Sequence, residues 1–280
     1  RLVLACASGR RALAAAEPLL TADPNCTLAV LALGGARMNT VLLIGGTDSS
    51  GGAGLAQDIR VLADMGVPAR LVVTAVTAQG AGGVTAVQAM PPELLQAQID
   101  AAVSLGPIGA VKIGLLPSLE IADLLAEICP DAPIILDPVL RATAGGALRR
   151  DCASLASFGA LWGRATLVTP NLPEAAFLLS VPDAPNRRAI VAQAEALRRT
   201  GARAILLKGG HLPGEIVADC LVTENGARWF RAARLPGSRR GTGCALASGI
   251  AAGLAQGLTL EGAITQARRW LRASWPKQAL

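Results

Sequence analysis

Four groups of residues in this 280-residue chain have the types and spacing to do chemistry. The first is Gly241-Thr242-Gly243-Cys244, two glycines and a thiol at the head of an alanine-rich stretch with helical spacing. A helix that begins there aims its free N–H groups and its dipole at the glycines, an anion site able to hold a transferring phosphoryl group. The same positive end is expected to lower the pKa of Cys244 and make it a proton acceptor near neutral pH. The plainer alternative has Thr242 capping the helix and Cys244 packing beneath it. The second group is Lys208 in "LLKGGHL", an ammonium group at the end of an apolar run, which needs a partner; phosphate is the natural one. His211, the single histidine, follows three residues later and is given a secondary role at most, because a lone histidine more often bonds to backbone.

The third group is Asp137 in "LDPV" with Asn171 and Glu174 in "TPNLPE". Asn171 and Glu174 have the spacing of a capping box, and Asp137 before Pro138 suits a turn. Equally, carboxylates and an amide at strand ends suit Mg²⁺, which keeps its waters and takes few protein ligands. The fourth group is the loop "GGTDSSGGAG" over 45–54, where Gly46, Asp48 and Gly52 either bring backbone close to a ligand or simply turn the chain. Its spacing is neither that of a P-loop nor a clean dinucleotide fingerprint.

The elements that must position these groups follow a rhythm. Apolar, β-branched runs at 40–45, 70–78, 110–116, 133–139, 165–171 and 202–210 alternate with helical spacing at 54–65, 91–104, 118–129, 187–200, 243–256 and 260–273. Strand followed by helix, repeated, predicts a mostly parallel sheet covered on both faces, with the ligand crevice at the carboxyl ends of the strands. Asn225-Gly226 between two extended runs predicts a hairpin and an antiparallel edge. Residues 1–37 do not join the rhythm, and Met38 opens "MNTVLLIGG"; the expected division is an accessory or non-native extension, 1–37, and a catalytic domain, 38–280.

Composition narrows the function. The formal charge of +6 comes from dispersed arginines, and aromatic residues make up 2% of the chain with no tyrosine, which argues against nucleic acid. Six cysteines at 6, 26, 129, 152, 220 and 244 form no C-x-x-C pair, and no apolar run is long enough to span a bilayer. Reduced thiols, the cytoplasm and no membrane partner are the expectation. Only three lysines occur, Lys112, Lys208 and Lys277. The first two lie in "VKIG" and "LLKGG", where a compact ammonium charge calls for a specific explanation.

In this order, "GGTDSSGGAG", "TAVTAQG", "VKIGLL", "LDPV", "TPNLPEA", "LLKGGHL" and "GTGCALASGIAAGLAQG" resemble the hydroxymethylpyrimidine/phosphomethylpyrimidine kinases, members of the ribokinase-like superfamily, over 40–257. The resemblance implies an α/β three-layer sandwich, with about eight mostly parallel strands, and a homodimer. It implies ATP- and Mg²⁺-dependent phosphorylation of 4-amino-5-hydroxymethyl-2-methylpyrimidine and then of its monophosphate, with room for an assisting monovalent cation. By motif, Gln79 and Leu115 join Gly46, Asp48 and Gly52 around the pyrimidine. Lys208, Asn171 and Thr242 meet the nucleotide, and Asp137 and Glu174 organise magnesium. Cys244 takes the hydroxymethyl proton while Gly241, Thr242 and Gly243 face the developing charge. Arg240 before the glycine, Leu115 for a frequent methionine, and Gly80 for the usual asparagine depart from the pattern. Two other functions stay open: a pyridoxal-type kinase using nearly the same groups, and a pyrimidine- or nucleotide-binding regulator without turnover.

Overall fold

Val41–Gly46 (β3) is buried along its whole length, as a strand covered on both faces must be. Its side chains alternate: Leu42 and Ile44 face one apolar core, Val41 and Leu43 another. A computed structural model describes residues 2–6, 28–32, 40–80, 82–140, 154–237 and 239–275. Lys277, Cys26, Cys152 and most of the 1–37 extension lie outside the described residues. The chain divides into two units, Arg1–Asn39 and Thr40–Leu280. In the first, Leu2–Cys6 (β1) and Leu28–Ala32 (β2) pair in parallel.

The second unit carries the rhythm read from the sequence. After β3 come Gly54–Asp64 (α1), Ala69–Gly80 (β4), Gly83–Ala89 (β5), Pro92–Ser104 (α2), Ala110–Ile113 (β6) and Leu119–Ile128 (α3). Then follow Ile134–Leu136 (β7), Gly159–Arg164 (α4), Leu167–Val168 (β8), Leu172–Leu179 (α5), Arg187–Arg199 (α6) and Ile205–Leu207 (β9). The hairpin Ile216–Thr223 (β10) and Gly226–Ala233 (β11) precedes Thr242–Ala255 (α7) and Leu260–Ala273 (α8). The strands form one nine-stranded sheet in the order β11-β10-β9-β8-β7-β6-β3-β4-β5. From β4 to β9 the neighbours run parallel, and both edges are antiparallel.

Helices cover both faces. Leu95 and Ile99 of α2, Ile121 and Leu125 of α3, Leu172 of α5 and Ile190 of α6 pack on one side. Leu55 and Leu62 of α1, Leu246 and Ile250 of α7, and Ile264 of α8 pack on the other. This is the expected three-layer α/β sandwich, with nine strands rather than about eight. The extra one is β5, paired antiparallel to β4. Several strands are shorter than the apolar runs that contain them. The run 133–139 yields only Ile134–Leu136 and 165–171 only Leu167–Val168, because Pro138 and Pro170 cannot donate to a ladder.

Candidate active site

The parallel strands end along one edge, and the residues just past them meet there. Lys208 follows β9, and its Nζ donates to Asp137 Oδ1, past β7, at 2.9 Å. Thr169, past β8, donates its hydroxyl to the same oxygen at 3.0 Å. Burial opposes the charge of Asp137, but Lys208 and Lys112 outweigh it and hold the carboxyl below its usual range. For Lys208, too, burial opposes charge, and Asp137 and Glu174 overcome it, so the ammonium stays protonated. The capping box is present as read: Asn171 N donates to Glu174 Oε2 at 2.7 Å, and Glu174 N donates to Asn171 Oδ1 at 2.8 Å. Burial still pushes the Glu174 carboxyl up to about 7, with Asp137 adding to the rise and Lys208 resisting it.

Helix α7 opens on Gly241, which sits in the left-handed region at φ 70° with no side chain capping the helix. Thr242 is therefore not the cap, and the first N–H groups of α7 are left for an anion. A side chain on Gly241 would drive into the carbonyl oxygen of Gly52, so this approach needs glycine. At Gly243, a Cβ would stand 3.1 Å from Lys208 Nζ and 3.7 Å from Asp137 Oδ2. The helix start and the lysine thus face one another across a few ångströms.

Cys244 differs from expectation in its acidity. Burial pushes its thiol up to about 11, and Asp58 and Asp137 add to the rise; Lys112 and a hydrogen bond from the Gly54 N–H pull the other way. A helix start lowers a thiol pKa only when desolvation does not exceed it, and here desolvation wins.

Also lining the cleft, Gly46 leaves room for Leu115, whose Cδ2 lies 2.7 Å from where a Cβ on Gly46 would be. The loop is latched to β4: Ser49 Oγ donates to the Gln79 carbonyl and accepts from its N–H, both at 2.8 Å. Thr77 Oγ1 donates to the Thr47 carbonyl at 2.7 Å. Asp48 accepts from Ser50 N and Oγ, and Arg240 reaches across from the α7 side to Asp48 Oδ2 at 3.4 Å.

One cleft of about 1150 Å³ joins these parts. Gly46, Asp48, Gln79, Leu115, Asp137, Asn171, Glu174, Lys208, Gly241, Thr242, Gly243 and Cys244 all line it. Gly52 does not; its carbonyl packs against Gly241 instead. His211 lines the cleft, its pKa lowered by burial and by Lys208. The sequence reading missed Asp58, Ser248, Thr169, Asp219 and Arg268. Asp219 accepts from Gly209 N at 2.9 Å, pairs with Arg268 and so fixes the turn after Lys208. The one available signal was Lys112, since a buried lysine demands a carboxylate, but spacing does not say which.

A nine-stranded α/β sandwich whose cleft sets a lysine, two carboxylates and an open helix start at its strand ends has the groups that phosphoryl transfer to a small molecule needs. The family model of phosphomethylpyrimidine kinase matches residues 48–279. A hydroxymethylpyrimidine/phosphomethylpyrimidine kinase of Rhizobium meliloti is 41% identical over 243 residues, 83% of this chain and 89% of that protein. One of Escherichia coli is 35% identical over 237 residues, with the same coverage. Among solved structures, phosphomethylpyrimidine kinase from Clostridium difficile superimposes with a TM-score of 0.71 at 30% identity, covering 84% of this chain and 99% of that one. The pyridoxal kinase of Staphylococcus aureus in complex with ADP gives 0.76 at 25% identity, over 84% and 87%. The chain belongs to the phosphomethylpyrimidine kinase family.

Proposed function

We propose that this chain transfers the γ-phosphoryl group of ATP to the hydroxymethyl oxygen of 4-amino-5-hydroxymethyl-2-methylpyrimidine, and then phosphorylates the monophosphate to the diphosphate used in thiamine biosynthesis. The observation that carries this is the cleft that Leu115 and Gln79 line together with Lys208, Cys244 and the open start of α7. The pyrimidine lies against Leu115, with the Gln79 amide on its polar edge. Its hydroxyl oxygen attacks the γ-phosphorus in line, its proton passes to Cys244 Sγ, and the bond to ADP breaks. The N–H groups of Gly241 to Gly243, together with Lys208, face the charge that spreads over the transferring oxygens. With its thiol near 11, Cys244 is mostly protonated at neutral pH, so turnover should rise as pH rises.

Magnesium fits the residues present. Asp137 Oδ1 is occupied by Lys208 and Thr169, whereas Glu174 is a half-buried carboxyl on the cleft wall. Among the described residues no three metal-binding side chains cluster, which suits an ion held by one or two carboxylates, waters and phosphate. Glu174 and Asp137 would hold Mg²⁺ through its waters, and the ion would neutralise the charge that develops on the phosphates. The working form is taken to be a cytoplasmic homodimer, and light scattering of the purified chain measures the assembly.

The test is incubation with Mg·ATP and the hydroxymethylpyrimidine, with a parallel arm on pyridoxal because pyridoxal kinases are among the solved neighbours. Mass analysis should find pyrimidine monophosphate and then diphosphate. Phosphorylation of pyridoxal alone, or of neither, would contradict the assignment.

A further inference from the structure

Two lysines reach into the cleft, and the reaction above uses one of them. The other, Lys112, is 1% exposed, and an ammonium so deeply buried is costly unless paired. Its Nζ donates to Asp58 Oδ2 at 2.7 Å, and Asp58 Oδ1 accepts from Ser248 Oγ at 2.7 Å. Lys112 and Asp58 line the same cleft as Cys244.

The three partners come from β6, α1 and α7, and their spacing is matched. Gly54 and Asp58 are one turn apart on α1; Cys244 and Ser248 are one turn apart on α7. The two helices are tied where Ser248 donates to Asp58, so that Cys244 lies one turn before that bond on α7 and Gly54 one turn before it on α1. Lys112 joins there through Asp58, one turn of α7 from Cys244, and both line the cleft. Gly114 completes the seat, since a Cβ there would stand 2.9 Å from Lys112 Nζ.

We propose that Lys112 is a positioning residue for the phosphoryl transfer, held by Asp58 so that its positive charge balances the Cys244 sulfur while that sulfur is a thiolate. This rests on Cys244 as the proton acceptor. In that step the S–H bond forms as the substrate O–H bond breaks, and the electron pair left on oxygen makes the new bond to phosphorus as ADP leaves. The charged groups acting on the sulfur are Lys112 from β6, Asp58 from α1, Asp137 past β7 and Lys208 past β9. Removing one member of the Lys112–Asp58 pair should therefore shift the thiol in one direction, and removing the other should shift it in the opposite direction.

Iodoacetamide alkylation of the full chain, followed by mass of the Cys244 peptide at about pH 8, reads the thiolate directly. Lys112→Met should slow alkylation about tenfold, equivalent to one pH unit of thiol acidity. Asp58→Asn should accelerate it. A pair that only braced the packing would loosen the site in both variants and accelerate both. Changes of the same sign, or rates unchanged in both, would overturn the proposal. Should Lys112→Met fail to fold by circular dichroism, the double variant Lys112→Gln with Asp58→Asn keeps the volume and removes both charges. Slower alkylation is then expected, and an unchanged or faster rate overturns the proposal. If instead Cys244 is not the base, Cys244→Ala retains turnover while the opposite-signed alkylation shifts persist.

Discussion

At the scale of single residues, identity and environment separate. Glu174 is legible as the residue that closes the capping box begun by Asn171, but the burial that pushes it up to about 7 is a property of the assembled cleft. That shift fixes a sign. The folded chain holds a proton that the unfolded chain releases above its ordinary value of 4.5, so stability from this group is full below that value and lost as pH rises through about 7. His211, whose pKa is lowered, works in the opposite direction, so the comparison must isolate Glu174. Melting temperatures of the protein and of Glu174→Gln at acidic and mildly alkaline pH should show the parent losing more on going alkaline. Gln79 allows a kinetic prediction: Gln79→Ala should raise KM for the pyrimidine about tenfold with kcat nearly kept, because the contact is made equally in ground and transition states. Steady-state kinetics checks it, and an unchanged KM would move the pyrimidine elsewhere. Cys244 marks the limit of reading by residue: the helix start was legible, the desolvation that outweighs it was not.

At the scale of elements, periodicity served well where packing enforces it. Spacing predicts a helix over 260–273, and α8 is Leu260–Ala273. It fails where proline ends a ladder, at Pro138 and Pro170, and it passes over β5, a half-exposed edge strand with too few large apolar residues to stand out. Asn225-Gly226 carries its turn in its own chemistry, with Gly226 at φ 102°, so the hairpin was readable locally. The small residues of α7 have a use the sequence did not disclose. Cβ atoms on Gly249 and Gly253 would stand 2.9 Å and 2.8 Å from Cβ atoms of Ala267 and Ala263 on α8. The helix that carries Cys244 is thus seated by close contact at its far end. Gly253→Ala should destabilise the fold by about 1–3 kcal/mol through overpacking, although alanine is the better helix former. A lower urea midpoint with unchanged slope would show it; a higher midpoint would mean α7 and α8 can part without cost.

At the scale of the whole molecule, the order of motifs along the chain made the architecture readable. Six of the seven motifs contain or follow the end of a parallel strand, β3, β4, β6, β7, β8 or β9, and parallel strands deliver their ends to one edge. What the chain order could not supply was the second ring of contacts: Asp58 to Lys112 spans 54 positions, and Ser248 to Asp58 spans 190. Such pairings depend on which helices cross, and no local spacing encodes them. The division at Asn39 gives a further expectation: a chain lacking residues 1–39 should fold and keep kcat within about twofold, since every group in the proposed transfer lies in Thr40–Leu280. Steady-state turnover of the shortened chain measures this. The central claim is that the thiol at the head of α7 and the lysine past β9 act on one substrate in one cleft. Single-turnover phosphorylation of the hydroxymethylpyrimidine by Cys244→Ala, at saturating Mg·ATP, tests it most directly. The rate should fall at least about 100-fold while ATP affinity stays within about twofold, because a base acts in the transition state. A rate equal to that of the unaltered chain would contradict the account.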